Sequence, residues 1–187
     1  MRTATRAAGV LLAGLLTSLP GWAAEPKPEA FYVGLSLGSA RQAARAPNDT
    51  NDLLMGWAVG YNVNRTLAFE LFGHAYLFGS WGGLFGRVSG RPEAAEFADD
   101  HGGIAAIGAL PLGDAWRLRG RVGIGRTKVG IFAAQSGDFT GTAHRTEASL
   151  GVGLACDPSP NWTLSLDTAR LAKTKVDTTW FSVQYRF

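Results

Sequence analysis

Cysteine is almost missing from this chain. Cys156 is the only one among 187 residues, so no intrachain disulfide can form, and its position far from the start excludes an N-terminal lipid anchor. Such scarcity suits export into a compartment that oxidises stray thiols. Past residue 23 there is no uninterrupted apolar stretch of about 18 residues, which excludes a transmembrane helix from that region. A chain of this kind crosses a membrane only as a closed barrel, because lipid leaves no partner for an unpaired backbone group. A basic surplus is lacking too. The formal charge is +3, but removal of Arg2 and Arg6 with the leader takes Lys+Arg from 18 to 16 against 15 acids. That balance gives no footing for nucleic acid. Metal spacing is absent among His74, His101 and His144. Gly123-Ile-Gly125 and Gly151-Val-Gly153 fall inside strands, where glycine eases barrel curvature rather than cradling phosphate. No cofactor is expected.

What is present begins with an export signal. Arg2 and Arg6 form a basic start, Val10–Leu16 an apolar core, and Gly21 and Ala23 the small positions of a cleavage site. The apolar core is far shorter than the roughly 20 residues that span a bilayer. Cleavage after Ala23 is therefore expected, with Ala24 the alternative. Residues 1–23 read as signal peptide, 24–30 as a short polar lead-in, and 31–187 as one domain.

Within that domain the sequence predicts strands over 31–40, 53–62, 66–78, 102–112, 116–128, 145–156, 162–171 and 178–187. Most reach the roughly 9–11 residues that a tilted strand needs to cross a bilayer. Their connections alternate in length. Asn62–Arg65, Gly113–Ala115 and Asp157–Asn161 are short and rich in turn-forming residues. The loops at 41–52, 79–101 and 129–144 are long, and 172–177 is intermediate. Short turns on one rim and long loops on the other, with both termini on the short-turn rim, require an even strand number. Eight fits.

Alternation with period two sorts each strand into two faces. One face carries Leu67, Phe69 and Leu71, then Leu118 and Val122, Leu150 and Val152, Leu164 and Leu166, and Val183. The other carries small residues and a few large charges. That second set would solvate a soluble barrel poorly, yet it suits the lining of a narrow eight-stranded one. The apolar set is therefore expected to face lipid. Phe72 and Tyr76 depart from this pattern, and the strand around Ile104–Leu112 does not choose a face. Trp116 and Trp162, each opening a strand after a short turn, sit where an interfacial aromatic girdle belongs.

The last strand sets Phe181, Val183, Tyr185 and Phe187 against Ser182, Gln184 and Arg186. With Phe31-Tyr-Val-Gly-Leu-Ser-Leu-Gly38, Gly60-Tyr-Asn-Val-Asn64, Leu67-Ala-Phe-Glu-Leu71 and Arg121-Val-Gly-Ile-Gly125, this makes the chain resemble the small eight-stranded outer-membrane barrels, the family of the OmpA transmembrane domain and its OmpX-like relatives. The resemblance spans nearly all of 31–187. It implies an all-β, antiparallel up-and-down transmembrane barrel in a Gram-negative outer membrane, with outer-membrane lipid and lipopolysaccharide as neighbours and no cofactor. It also implies that the barrel-assembly machinery reads Phe181, Val183, Tyr185 and Phe187. With Phe187 as the last residue, the peptidoglycan-binding domain that follows some relatives is expected to be absent.

The chemistry-bearing residues are the inward charges Arg117, Arg119, Arg121 and Arg186 with Glu70, Glu147 and Asp167. Buried charges need partners, so these are expected to form a hydrogen-bonded plug, with Glu70, Arg121 and Asp167 at similar depth. The alternative is a narrow ion-conducting lumen. A third reading, a lipid A-modifying enzyme, would need a triad such as His144 with Glu147 and a serine. The expected function is non-enzymatic: a structural or surface-contact barrel whose loops 41–52, 79–101 and 129–144 face outside and meet an extracellular partner.

Overall fold

The computed structural model describes residues 29–42, 51–76, 96–132 and 139–187. Eight strands form there: β1 (Phe31–Gln42), β2 (Asn51–Asn62), β3 (Leu67–Tyr76), β4 (Glu96–Pro111), β5 (Trp116–Phe132), β6 (Phe139–Ser159), β7 (Trp162–Leu171) and β8 (Val176–Arg186). Each pairs antiparallel with its neighbour in sequence, and β8 returns to β1 to close the barrel. Closure leaves no open sheet edge around the wall, the condition for a sheet in lipid. No helix among the described residues is long and apolar enough to cross a membrane.

All four expected loops are shorter than the sequence reading has them: residues 41–42 and 51–52 belong to β1 and β2, and 176–177 to β8. Residues 96–101 belong to β4, and residues 129–132 and 139–144 belong to β5 and β6. The sequence reading ends the fifth strand at 128 and starts the sixth at 145. Backbone pairing does not require an apolar face once a strand stands in water, and Thr140, Thr142 and Thr146 favour extended backbone. The β5–β6 ladder therefore runs on to Phe132 and Phe139. β7 stops opposite Ser149, so the upper part of β6 rises above its neighbour. The expected strand residues 77 and 78, and the centre of each long loop, lie outside the described residues.

The turns are built locally. Asn64 Oδ1 accepts the backbone N–H groups of Thr66 and Leu67, both at 2.8 Å, and so folds the β2–β3 connection. Gly113 takes φ 122° in the β4–β5 connection, a backbone state that side-chain-bearing residues rarely adopt.

Alternation along the strands separates the two faces sharply: Leu150 is 66% exposed and its neighbour Ser149 only 5%. β4 chooses its face in detail. Ile104 and Leu110 point outward, whereas Ile107 points inward and packs with Tyr32 and Ala68. One apolar residue on the inner face is what blurs its pattern. Inward glycines make room for larger neighbours. A Cβ on Gly60 would lie 2.2 Å from the Tyr32 ring, and one on Gly153 would lie 2.1 Å from Asp167 Oδ1.

Candidate functional site: the filled lumen

The interior is stacked in tiers, described here from the short-turn rim upward. Just inside that rim Asp157, on β6, sits between two arginines. Arg117 Nη2 donates to its Oδ1 at 2.8 Å and Arg117 Nε lies 2.7 Å from its Oδ2. Arg186, on β8, donates to the same carboxylate and to the Thr163 hydroxyl, and Thr163 itself donates to Asp157 at 2.6 Å. Asp157 is fully buried and Arg186 nearly so. A carboxylate in such a place persists only because two guanidinium groups and a hydroxyl surround it.

The next tier holds two networks. On the β5–β7–β8 side Arg119 Nη1 donates to Ser165 Oγ at 2.8 Å and lies 3.5 Å from Asp167 Oδ2. Ser165 donates to Asp167 at 2.6 Å and meets Ser182 at 2.7 Å. The serine thus couples the arginine to the aspartate. On the β1–β3–β5 side Arg121 pairs with Glu70, and the Tyr32 hydroxyl donates to Glu70 Oε2 at 2.9 Å. The Arg121 guanidinium lies 4.3 Å from the Phe72 ring centroid and 5.9 Å from that of Trp180. Such faces stabilise a desolvated cation by about 2 kcal/mol.

Above Arg121 the lumen turns aromatic. His74 and His101 face each other across β3 and β4, with Phe72 5.4 Å from His74 and 5.3 Å from His101. His74 stands 5.0 Å from Trp180. An apolar cap of Ala40, Leu54, Tyr76, Ala98, Ala169, Leu171, Val176 and Trp180 fills the upper end. Two interior spaces among these tiers measure only about 20 Å³ and about 10 Å³. One water needs roughly 10–15 Å³. A larger apolar groove of about 560 Å³ lies outside the wall, between Phe69, Leu71, Ile104 and Val122.

The expected charge set divides differently from the sequence reading. Glu70 and Arg121 do meet, but Asp167 belongs with Arg119 rather than with Arg121. Glu147 pairs with no arginine among its described contacts. Its carboxylate accepts the backbone N–H groups of Lys173 (2.8 Å) and Thr174 (2.9 Å) and the Thr174 and Thr127 hydroxyls, which ties the β7–β8 turn to the barrel top. Thr127 also meets His101 Nδ1 at 2.9 Å. The acid that Arg117 and Arg186 share is Asp157, placed by the sequence reading in a turn. β6 in fact runs on to Ser159. Its parity was the available signal, since Glu147, Ser149, Gly151, Gly153 and Asp157 share one face. The hydroxyls of Thr163, Ser165 and Ser182 were overlooked because nothing in a sequence pairs a hydroxyl with a charge. His144 lies exposed on the outer face while Glu147 points inward, so these two do not form a dyad. Among the described residues no three His, Cys, Asp or Glu side chains converge as metal ligands.

On the outer wall Leu67, Phe69, Leu71, Leu118, Val122, Leu150, Val152, Leu166 and Val183 are exposed, and Leu164 is half-buried. Phe181 and Phe187 are exposed, with Tyr185 between Trp162 at 5.0 Å and Phe187 at 5.3 Å. Phe31 and Tyr61 stack at 4.8 Å on the same rim.

The comparisons with known proteins agree with this architecture. The family model for the outer membrane protein beta-barrel domain matches residues 9–187. Ail, the attachment invasion locus protein of Yersinia pestis, superposes with a TM-score of 0.55 at 14% identity, covering 86% of this chain and 100% of its own. The N-terminal barrel of Pseudomonas aeruginosa OprF gives 0.53 at 17% identity, covering 83% and 97%. Neisserial surface protein A gives 0.54 at 14% identity, covering 83% and 95%. No curated protein matches the chain. The chain belongs to the outer-membrane β-barrel domain family of Gram-negative bacteria.

Proposed function

We propose that this protein is a non-enzymatic structural and surface-contact barrel whose lumen does not conduct. The observation that carries this reading is the filling of the interior: two charged tiers, an aromatic tier and an apolar cap, with spaces of about 20 Å³ and about 10 Å³ between them. An ion that follows such a path loses its hydration shell at the apolar cap, whose packed side chains offer little to replace it. Planar bilayer recording tests this. The wild-type barrel is expected to give no steady conductance, and stable, ion-selective channels would support a narrow porin instead.

On this reading the exposed leucines, valines and phenylalanines of the wall contact acyl chains, and lipopolysaccharide surrounds the upper rim. The C-terminal strand is the element that the barrel-assembly machinery engages, after residues 1–23 are removed. Contact with an extracellular partner falls to the tall β4–β5–β6 wall, whose outer face carries Arg126, Lys128, Thr142, His144 and Thr146 above the apolar belt. Ail has been solved with a heparin analogue, a polyanion, and the basic residues of this wall make a similar ligand class the first to try here.

A further inference from the structure

The short-turn mouth of the barrel differs from the rest of the lumen in one respect: its lining has cations but no acid. The small cavity there is bordered by Arg65, Arg117, Arg119 and Arg186, by the amides of Asn62, Asn64 and Gln184, and by Thr66, with no carboxylate among its lining residues. Asp157 and Asp167, which pair with these arginines, do not line it. Three of these guanidinium groups, Arg117, Arg119 and Arg186, therefore share two carboxylates.

Each guanidinium offers five N–H groups in a planar fork. Arg119 engages only Nη1, with Ser165 and Asp167, so Nε and Nη2 make no hydrogen bond among the described residues. Arg186 engages Nη1 with the Pro160 carbonyl and Nη2 with Asp157 and Thr163, which leaves its Nε. A recess with low-dielectric walls concentrates the field of such charges toward its opening. The space of about 20 Å³ has room for about one water. It opens past the exposed turn residues Asn64, Arg65 and Thr66, so an anion would sit at the opening and reach inward with one oxygen.

We propose that this mouth binds a phosphate group presented from the periplasmic side. The acceptor oxygens of one compact phosphate match arginine forks better than a halide does, because a fork takes two oxygens in parallel. Free phosphate and a phospholipid headgroup of the inner leaflet share this chemistry.

The test uses the full barrel refolded in detergent. The temperature at which the folded, fast-migrating gel band is lost is compared in about 10 mM phosphate and in chloride of equal ionic strength, too dilute for general salt effects. Phosphate is expected to raise that midpoint by about 2–4 °C and to broaden its own ³¹P resonance. A parallel arm replaces phosphate with phosphatidylglycerol in a phosphate-free detergent micelle, against a glycolipid of the same acyl chains that carries no phosphate. A rise in that arm alone identifies a lipid headgroup as the source, and a rise with free phosphate shows that the group suffices. Ala109→Glu sets a carboxylate on the wall directly across the ladder from Arg119 and is expected to abolish the response. Equal midpoints and unaltered ³¹P linewidths in all wild-type arms would overturn the proposal, as would an undiminished response in folded Ala109→Glu. The wild-type arms decide alone if that variant does not fold.

Discussion

Glu70 is the residue whose removal should be felt most inside the barrel. Its carboxylate is 5% exposed, pairs with Arg121 and accepts the Tyr32 hydroxyl at 2.9 Å. Glu70→Ala leaves a buried guanidinium without its anion, a change that costs about 3–5 kcal/mol. It also orphans the Tyr32 hydroxyl, worth another 1–3 kcal/mol or so where no water replaces the acceptor. Two features reduce the total. The Phe72 and Trp180 rings still face the Arg121 cation, and the deleted side chain leaves a hole beside a small existing cavity, so one or two waters can enter. We expect a net loss of about 3–5 kcal/mol. Glu70→Gln, which keeps an acceptor for Tyr32 but loses the charge, should cost less, about 2–3 kcal/mol.

The diagnostic experiment is the double variant. Arg121→Met keeps an apolar stem between Phe72 and Trp180 but strands the Glu70 carboxylate, and should cost about as much as Glu70→Ala. Combined, the two remove both charges, and stability should recover to within about 1–2 kcal/mol of wild type. Urea titration of the refolded barrel, read by the fraction of heat-modifiable band and by tryptophan fluorescence, gives the midpoints, and the slope converts them to free energies. A double variant that loses the sum of the two single losses would refute the reasoning, because independent side chains add whereas a mutually neutralising pair does not.

Three other outcomes follow from the same geometry. Arginine at Leu71 or Leu150, on the outer wall far from either rim, should cost about 2–4 kcal/mol of folding free energy, and the same change at Leu118, near the short-turn rim, clearly less; equal costs at all depths would argue against a lipid-facing wall. Glu147→Ala should release the β7–β8 turn, seen as faster amide exchange at Lys173 and Thr174 with the lower tiers unchanged, and protection retained there would show that the turn holds itself. Phe187→Asp should lower outer-membrane yield and leave periplasmic or degraded protein, whereas normal yield would remove Phe187 from any role in assembly.

The wall of this barrel was legible from sequence and the plug only in outline, and the difference is physical. Which way a strand residue points depends on parity alone, so Leu67–Leu71, Leu150 and Val183 sort correctly with nothing known of their neighbours. Strand ends are harder, because the β5–β6 ladder continues through residues such as Arg126, Lys128 and Thr142 whose outward side chains are polar. Pairing inside the lumen is harder still, since it depends on the stagger between strands closed into a cylinder. Arg119 and Asp167 are brought within 3.5 Å from strands that are not adjacent, β5 and β7, across β6. A count of residues from the rim placed Asp167 level with Arg121 because it took every strand as rising equally from its turn. β6 runs on to Ser159 and β7 starts three residues later at Trp162, which sets Asp167 one alternation lower than that count. The same extension of β6 carries Asp157 off the turn and into the barrel wall, between Arg117 and Arg186. With Asp157 included, the inward set is four arginines, Arg117 among them only half-buried, and four carboxylates, so its balance is complete rather than approximate. Glu147, freed from the arginines by that count, is available to hold the β7–β8 turn. A plug whose acids are divided between the lower tiers and an upper turn is the common ground of both proposals, a lumen that does not conduct and a short-turn mouth that takes phosphate.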